Sequence, residues 1–197
     1  MVCLIVVFSV CLHEYFHAQV AVLEGDYTLR DHLTLNPFKQ MGFMSLLMLA
    51  LIGIAWGGVP VDRSLLRSRW SMLKIALAGP LANLLLFLTA WILIGILHLP
   101  KFFQATPEYI MVLQFVMLFG IYNFVLLVFN LLPAPGLDGW NILSEIFPKM
   151  RNISSEVVKG AMLFLMLLAF IGVQFLFAVG NILMKLSVFL MQGLVHA

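Results

Sequence analysis

The stretch MVCLIVVFSVCLHEYFHAQVAV, residues 1–22, is apolar along its length except around His-Glu-Tyr-Phe-His at residues 13–17. About 20 apolar residues are enough to carry a helix across the ~30 Å hydrocarbon core of a bilayer. A secretory signal peptide would begin with positive charge, but no Lys or Arg precedes Arg30. We therefore predict a retained membrane helix that carries two histidines and a glutamate in an apolar setting.

The composition of the whole chain also indicates a lipid environment. Of its 197 residues, 63% are hydrophobic and 10% are charged, and the mean hydropathy is +1.07. Soluble domains have about 25% charged residues. The net charge of +2 is small, and no basic run with interleaved aromatic residues occurs. The composition predicts an integral protein of the lipid bilayer and excludes nucleic acid as a partner.

Further apolar stretches predict an all-α polytopic membrane protein with about 4–6 transmembrane helices. A last helical stretch, reaching about residue 195, is either a separate pass or a surface helix. No repeat, low-complexity tract or linker divides the chain, so we expect one unit over residues 1–197. The strong predicted helices cover residues 1–22, 72–98, 109–132 and 160–180.

The apolar segment 42–56, followed by Gly-Gly-Val-Pro-Val at 57–61, is either a short span or a re-entrant segment. The positive-inside rule distinguishes the two, because cytoplasmic loops carry the excess of Lys and Arg. Re-entry leaves Lys101 nearly alone on one side. It places the other loop charges together: Arg30, Lys39, Arg63, Arg67, Arg69, Lys149 and Arg151. We therefore predict a re-entrant or extended segment near 42–61, with the 23–71 and 133–158 regions in the cytoplasm.

The pattern H-E-x-x-H at residues 13–17 is typical of a catalytic zinc site. On a helix, His13 and His17 project from one face and can bind one Zn²⁺, while Glu14 acts as general base toward a metal-bound water. Charged groups in the middle of a membrane helix cost roughly 2 to 3 kcal/mol each on insertion scales, so they persist only with partners. The alternative is that these side chains form interhelical hydrogen bonds that hold the bundle together.

A third ligand is needed, because catalytic zinc commonly has three protein ligands and one open position. The candidate is Asp138, which lies within an irregular segment of two prolines and two glycines after the 109–132 helix. Its alternative role is an N-cap for the helix that begins around Trp140. In the re-entrant topology, His17 lies about 9 Å from the cytoplasmic end of its helix at 1.5 Å per residue. Asp138 then approaches the same leaflet.

Two further elements are candidates for substrate contact. Asn83, in Ala-Gly-Pro-Leu-Ala-Asn at 78–83, either donates to substrate backbone or a developing oxyanion, or joins two helices. Val59 and Val61 favour a strand, and Pro60 between them is tolerated only at a sheet edge. This stretch is therefore either an edge to which an unwound substrate adds as a strand or a plain surface turn.

Four motifs in order resemble the site-2 protease family of intramembrane zinc metalloproteases. They are HEYFHA at 13–18, LNPF at 35–38, AGPLAN at 78–83 and NLLPAPGLDG at 130–139. The resemblance covers about residues 10–145, leaving C-terminal helices at about 156–195. It is nearest to short prokaryotic members, because no soluble domain is inserted between the motifs. Members commonly carry another span before the H-E-x-x-H helix, which here begins at Met1.

The resemblance implies the residues of the site. Zinc ligands fall on His13, His17 and Asp138, the catalytic glutamate falls on Glu14, and Asn83 and Asn130 match asparagines near the site. It also implies an active site on the cytoplasmic side of a prokaryotic cell (inner) membrane.

We therefore predict hydrolysis of a peptide bond in a single-span membrane protein or membrane-anchored peptide, near the cytoplasmic side of the membrane. The alternative function is a small transporter or metal-handling membrane protein, in which Glu14 would be dispensable or would itself be a ligand. The sequence does not indicate the substrate's identity or the oligomeric state.

Overall fold

The computed structural model describes residues 1–100, 102–103 and 106–196. These residues form helices joined by turns and short 3₁₀ segments, with no strand among them. In chain order the helices are α1 (Val2–Leu23), α2 (Pro37–Gln40), α3 (Gly42–Ile52), α4 (Ser71–Leu97), α5 (Pro107–Asn130), α6 (Asp138–Ile146) and α7 (Ser155–His196).

Four helical stretches of the described chain are long and apolar enough to cross a bilayer: α1, α4, α5 and the part of α7 from Ile171 to Gly193. Helices are the form expected there, because they satisfy every backbone N–H and C=O within one segment. The protein is thus an all-α polytopic membrane protein, at the lower end of the 4–6 spans predicted.

The C-terminal region differs from the prediction of two helical stretches. α7 is one continuous helix of 42 residues, about 63 Å long at 1.5 Å per residue. The prediction divided it near residue 180, where Gly180 weakens the apolar pattern. A glycine costs only about 1 kcal/mol inside a helix, and no proline occurs between Ser155 and His196 to end it. The helix therefore continues, and within its described residues the stretch Ile171–Gly193 qualifies as a span.

Small residues bring α1 and α4 into close contact. Ala18 and Ala21 of α1 are completely buried, and Ala78 and Ala82 of α4 are almost completely buried. In lipid, side chains of this size let two helix backbones approach and replace the hydrophobic driving force with close packing. α5 and α7 pack on the other side of α4 around a separate apolar cluster: Phe87, Ala90, Ile94, Val116, Ile121, Val125 and Met184.

The chain between α1 and α4 begins and ends on the same side of the bundle. At the end of α1, the Glu24 side chain accepts hydrogen bonds from Ser71 Oγ at 2.5 Å and Lys74 Nζ at 2.7 Å, both in the first turn of α4. The Glu24 carbonyl accepts from Arg67 N at 2.9 Å. α3 has 11 residues, or about 16 Å, too short to cross. The segment near 42–61 therefore re-enters, as the charge pattern predicted.

Residues 54–61 form an extended segment that lies across the mouth of the bundle. Side-chain burial alternates along it: Ala55, Gly57, Val59 and Val61 are partly buried, and the residues between them are exposed. An extended chain has this period of two. The segment is extended, as predicted, and no second strand pairs with it among the described residues; addition of a substrate strand stays a prediction. A tight turn also closes it, with Val61 N donating to Val59 O at 3.0 Å.

Residues of the two preceding short helices, α2 and α3, bond to one edge of this segment. Ser45 Oγ donates to Trp56 O at 2.6 Å and accepts from Trp56 N at 2.9 Å. Gly58 N donates to the backbone oxygen of Gln40 at 3.3 Å. The buried carboxylate of Asp26 accepts from Asp62 N at 2.8 Å. These bonds fix the position of the segment relative to α1.

Candidate metal centre

Three candidate ligands from two distant parts of the chain meet inside the bundle. His13 and His17 are four residues apart on α1, which places both imidazoles on one face. Their Nε2 atoms are 2.9 Å apart. Asp138, the first residue of α6, places Oδ2 3.0 Å from His13 Nε2 and Oδ1 3.3 Å from His17 Nε2. Ligands about 2.0 Å from one ion lie about 3.3 Å apart in a tetrahedral site, close to this spacing.

The second nitrogen of each imidazole has a partner that faces away from this cluster. His17 Nδ1 donates to Ile75 O at 2.6 Å, and His13 Nδ1 lies 2.6 Å from Asn83 Oδ1. Because an oxygen of this kind only accepts, Nδ1 carries the proton in both rings and Nε2 presents a lone pair. Metal-ligating histidines almost always have such a partner on the other nitrogen.

The arrangement of these three side chains shows that they fit a metal ion. Two Nε2 lone pairs and a carboxylate converge on one point, and Asp138 Oδ2 is buried with no hydrogen-bond partner among the described residues. Without a cation, this arrangement places acceptors against each other. Within the described chain, His13, His17 and Asp138 are the group of metal-ligating side chains whose ligand atoms lie within 4.8 Å of one another.

Gly79 of α4 provides the space for an ion at this point. A Cβ built on Gly79 would lie less than 3.0 Å from the Nε2 atoms of both His13 and His17, and 2.5 Å from His13 Cε1. Cβ atoms essentially never approach other atoms so closely. A side chain at residue 79 would therefore fill the place where the three ligands meet.

Glu14 lies beside the cluster and is not part of the ligand group. It borders the same cavity, which has a volume of about 640 Å³. The extended segment approaches closely, since a Cβ on Gly57 would lie 2.5 Å from Glu14 Oε1. The cavity is lined by residues of α1, the start of α4, the end of α5, the segment 54–61 and the loop before α6. The Glu14 carboxyl and the three candidate ligands thus border one cavity.

Asp138 does not act as the helix cap that was its alternative role. The N-cap of α6 is Leu137, and no side chain forms a capping hydrogen bond there. The loop before it turns at Gly136, whose φ of 91° lies in the left-handed region that favours glycine. The loop therefore directs the Asp138 carboxylate toward α1.

The other predicted residues occupy different positions around the cavity. Asn83 is completely buried, with Oδ1 beside His13 and Nδ2 donating to Asn123. Asn130 is half-buried at the end of α5 and borders the cavity. Val59 and Val61 also border it and pack toward the apolar cluster of Ala21, Leu29 and Ile75. An oxyanion role for either asparagine stays a prediction, and Asn83 already has partners for both of its polar atoms.

Sequence reasoning missed two polar residues behind the site, Ser9 and Asn123, both completely buried. A signal was present in the spacing. Ser9 lies four residues before His13 on α1, and Asn123 lies seven residues before Asn130 on α5, so each shares a helix face with a predicted site residue. An amide in an apolar span needs a partner, and that need alone marks Asn123.

The fold and the cluster together define the class of this protein: a polytopic membrane protein with a candidate metal-binding cluster inside its helical bundle. Comparison with known proteins agrees with that class. Residues 92–173 match the model of Peptidase family M50. "Putative zinc metalloprotease YwhC" of Bacillus subtilis is 32% identical over 144 residues, covering 71% of this chain and 66% of that protein.

Two mycobacterial proteins, both named "Putative zinc metalloprotease Rip2", are also similar. The one from Mycolicibacterium smegmatis is 37% identical over 143 residues, or 68% of this chain and 52% of that protein. The one from Mycobacterium tuberculosis H37Rv is 32% identical over 169 residues, which cover 81% of this chain and 62% of that protein. No solved structure is significantly similar to the chain.

The chain belongs to Peptidase family M50, the site-2 protease family. It spans between about half and two thirds of the length of the curated relatives it matches, from 52% to 66%.

Proposed function

We propose that this protein is an intramembrane zinc metalloprotease that hydrolyses a peptide bond of a membrane-spanning or membrane-anchored substrate. The observation that carries the proposal is the convergence of His13, His17 and Asp138 on one point, with Glu14 beside it in a shared cavity. This supplies three ligands, a separate base and room for a peptide.

Zinc is the metal that this donor set favours. Two imidazole nitrogens and one carboxylate oxygen form a borderline set, and three protein ligands with an open fourth position are typical of catalytic zinc. The names of the relatives, which include the words zinc metalloprotease, support the same ion. A bound zinc ion would lower the pKa of a coordinated water toward about 7 and polarise a carbonyl group.

The residues of the chain supply metal binding, proton transfer and stabilisation of the oxyanion. His13, His17 and Asp138 hold the ion, and Ile75 O and Asn83 Oδ1 hold the imidazoles in the binding orientation. Glu14 accepts a proton from the attacking water and returns it to the leaving amine as the peptide bond breaks. Asn130, half-buried at the cavity edge, is our candidate donor to the developing oxyanion.

The substrate must be extended at the cut, because a helical peptide bond is engaged in its own helix. Unpaired backbone groups in lipid cost several kcal/mol each, so the enzyme needs to pair them. The segment 54–61 has one edge bonded to Ser45 and Gln40 through Trp56 and Gly58. The N–H groups of Gly57 and Val59 point the other way and have no partner among the described residues. We propose that substrate adds as a strand to this second edge.

The arrangement of charge supports a cytoplasmic site in a prokaryotic cell membrane. The ends of α1 and α5 and the beginnings of α4 and α6 lie on one side of the bundle, as the Arg63 to Glu145 ion pair of 2.7 Å also requires. Of the 11 Lys and Arg residues, Lys185 is near the far end of α7, and Lys101 lies outside the described residues. The others are on the site's side: Arg30, Lys39, Arg63, Arg67, Arg69, Lys74, Lys149, Arg151 and Lys159. Cytoplasmic loops carry such an excess.

The experiment compares Glu14→Gln with the native chain in liposomes that contain single-span test proteins. We expect Glu14→Gln to keep one zinc per chain by elemental analysis and to lose proteolysis, because the base is not a ligand. His13→Ala combined with His17→Ala should lose both zinc and proteolysis. Glu108→Gln, an exposed residue at the opposite end of the bundle, is the matched control and should retain both.

Two results would contradict the proposal. Full zinc content in the double histidine variant would place the metal elsewhere. Loss of zinc in Glu14→Gln would make Glu14 a ligand, as a metal-handling or transport site would have it.

A further inference from the structure

A chain of buried polar side chains runs from α5 through α4 to His13. Asn123 Nδ2 donates to Phe119 O at 2.9 Å and to Ser9 Oγ at 3.0 Å. Asn83 Nδ2 donates to Asn123 Oδ1 at 3.0 Å, and Asn83 Oδ1 lies 2.6 Å from His13 Nδ1. Ser9, Asn83 and Asn123 have no exposed surface. The chain closes on itself, because Ser9 and His13 share one face of α1.

The Phe119 carbonyl fixes the direction of this chain. A backbone carbonyl can only accept a hydrogen bond, so Asn123 must direct its NH₂ group at Phe119. That leaves Asn123 Oδ1 facing Asn83. Asn83 must then present its own NH₂ group to Asn123, and its Oδ1 to His13. Each amide has one permitted orientation, set by its neighbour.

The orientation of Asn83 decides which imidazole nitrogen of His13 is free. An oxygen opposite Nδ1 requires a proton on Nδ1, which leaves the lone pair of Nε2 directed at His17 and Asp138. If the Asn83 amide were reversed, its NH₂ group would face Nδ1. The proton would then sit on Nε2 and point into the place of the metal ion.

We propose that Asn123 is a positioning residue of the metal centre: it fixes the amide of Asn83 and thereby holds His13 in the tautomer that binds the ion. Ser9 supports it by accepting the second hydrogen of the Asn123 amide. The proposal rests on the metal site of the proposed function and assigns to Asn123, which lies outside the four motifs, a part in that site. His17 has no such relay, because it bonds directly to the Ile75 carbonyl.

The test measures zinc affinity by chelator competition on purified full-length protein in detergent, without reference to proteolysis. We expect Asn123→Leu to bind zinc about 10-fold more weakly, the lower end of what loss of an outer-shell partner costs. Asn83→Leu should lose more, because it removes the direct partner of His13. The double variant should equal Asn83→Leu alone, since Asn123 acts through Asn83. Ser9→Ala should give a smaller loss than Asn123→Leu, because the Phe119 carbonyl still fixes the amide.

Ser187→Ala is the matched control. Ser187 is also completely buried and joins α7 to α4 through the Trp91 carbonyl, away from the metal centre, so its loss should leave zinc affinity unchanged. If Asn123→Leu yields no folded protein, Asn123→Ala removes the same amide with a smaller side chain and must give the same results.

Several outcomes would overturn the relay. Zinc affinity within about twofold of native in Asn123→Leu would do so. If Asn123→Leu weakened zinc binding by the same factor in a protein that already carries Asn83→Leu, Asn123 would act independently of Asn83. If Ser187→Ala lost as much zinc affinity as Asn123→Leu, the loss would reflect general destabilisation of the helical bundle. Failure of the native chain to bind zinc would instead reject the proposed function, which keeps the two failures distinct.

Discussion

Replacing Gly79 by alanine is the smallest change that should empty the metal centre. The new methyl group would lie less than 3.0 Å from Nε2 of both His13 and His17, and a zinc ion bound by them would need to lie about 2.0 to 2.1 Å from each. For ordinary contact, its separation from His13 Cε1 would have to grow from 2.5 Å to at least 3.4 Å. α1 and α4 would therefore have to part by roughly 1 Å where Ala18 and Ala21 pack against α4.

The size of the effect follows from the cost of overpacking. Forcing a methyl group into a close-packed interior costs about 1 to 3 kcal/mol, and here ion and methyl compete for one volume, so the upper end applies. At 1.36 kcal/mol per factor of ten, we expect zinc to bind about 100-fold more weakly. Alanine favours a helix by about 1 kcal/mol over glycine, so α4 itself should remain folded.

Chelator competition gives the zinc affinity, and circular dichroism with gel filtration in detergent reports the fold. Gly160→Ala in α7 is the control, because a Cβ there meets nothing within 4 Å. Native zinc affinity in a folded Gly79→Ala protein would refute the placement of the ion between His13, His17 and α4.

Three further predictions concern the cavity and its orientation. Gly57→Ala should reduce proteolysis at least tenfold with zinc retained, because its methyl group displaces the Glu14 carboxyl. Gly58→Ala is the control, because a Cβ there meets nothing within 4 Å. Equal proteolytic activity of the two variants would contradict the prediction. A photocrosslinker at Val59 should capture a substrate peptide, whereas one at the exposed Phe189 of α7 should not, and the reverse pattern would exclude strand addition. Single cysteines at Asp31, Ser64 and Ser154, with Cys3 and Cys11 removed, should be labelled from the cytoplasm and one at Thr106 from outside. Labelling of Asp31 and Ser64 from opposite sides would exclude the re-entrant topology, because a 42–56 segment that crossed the membrane would separate their two loops.

The parts of the site that the sequence predicted are those whose geometry is local. His13, Glu14 and His17 lie within one turn and a half of helix, so the helical period alone places them together. The re-entry of 42–61 followed from length and loop charge, and both act segment by segment. The convergence of Asp138 on the histidines was inferred from topology and resemblance, and the structure brings their ligand atoms within 4.8 Å.

The parts that escaped prediction depend on which helix faces which. The sequence marks Asn123 as an amide that needs a partner, but its partners Asn83 and Ser9 are 40 and 114 residues away. No period or motif connects such positions. The unbroken course of α7 was also missed, because a dip in the apolar pattern at Gly180 resembles a helix end when the surrounding contacts are unknown.

Two glycines from different elements, Gly79 and Gly57, leave space beside the side chains of the proposed site. In the sequence, Gly79 is a small residue of a helix contact and Gly57 is part of a loop, and each has an ordinary explanation. In the structure, Gly79 clears the point between the two histidines, and Gly57 clears the Glu14 carboxyl. The proposed base, Glu14, is thus bounded by the segment proposed to bind substrate, and the proposed metal position by the helix that carries Asn83. A displacement of either element changes the distance between base, metal and peptide, so the backbone at these two positions is as much a part of the site as its side chains.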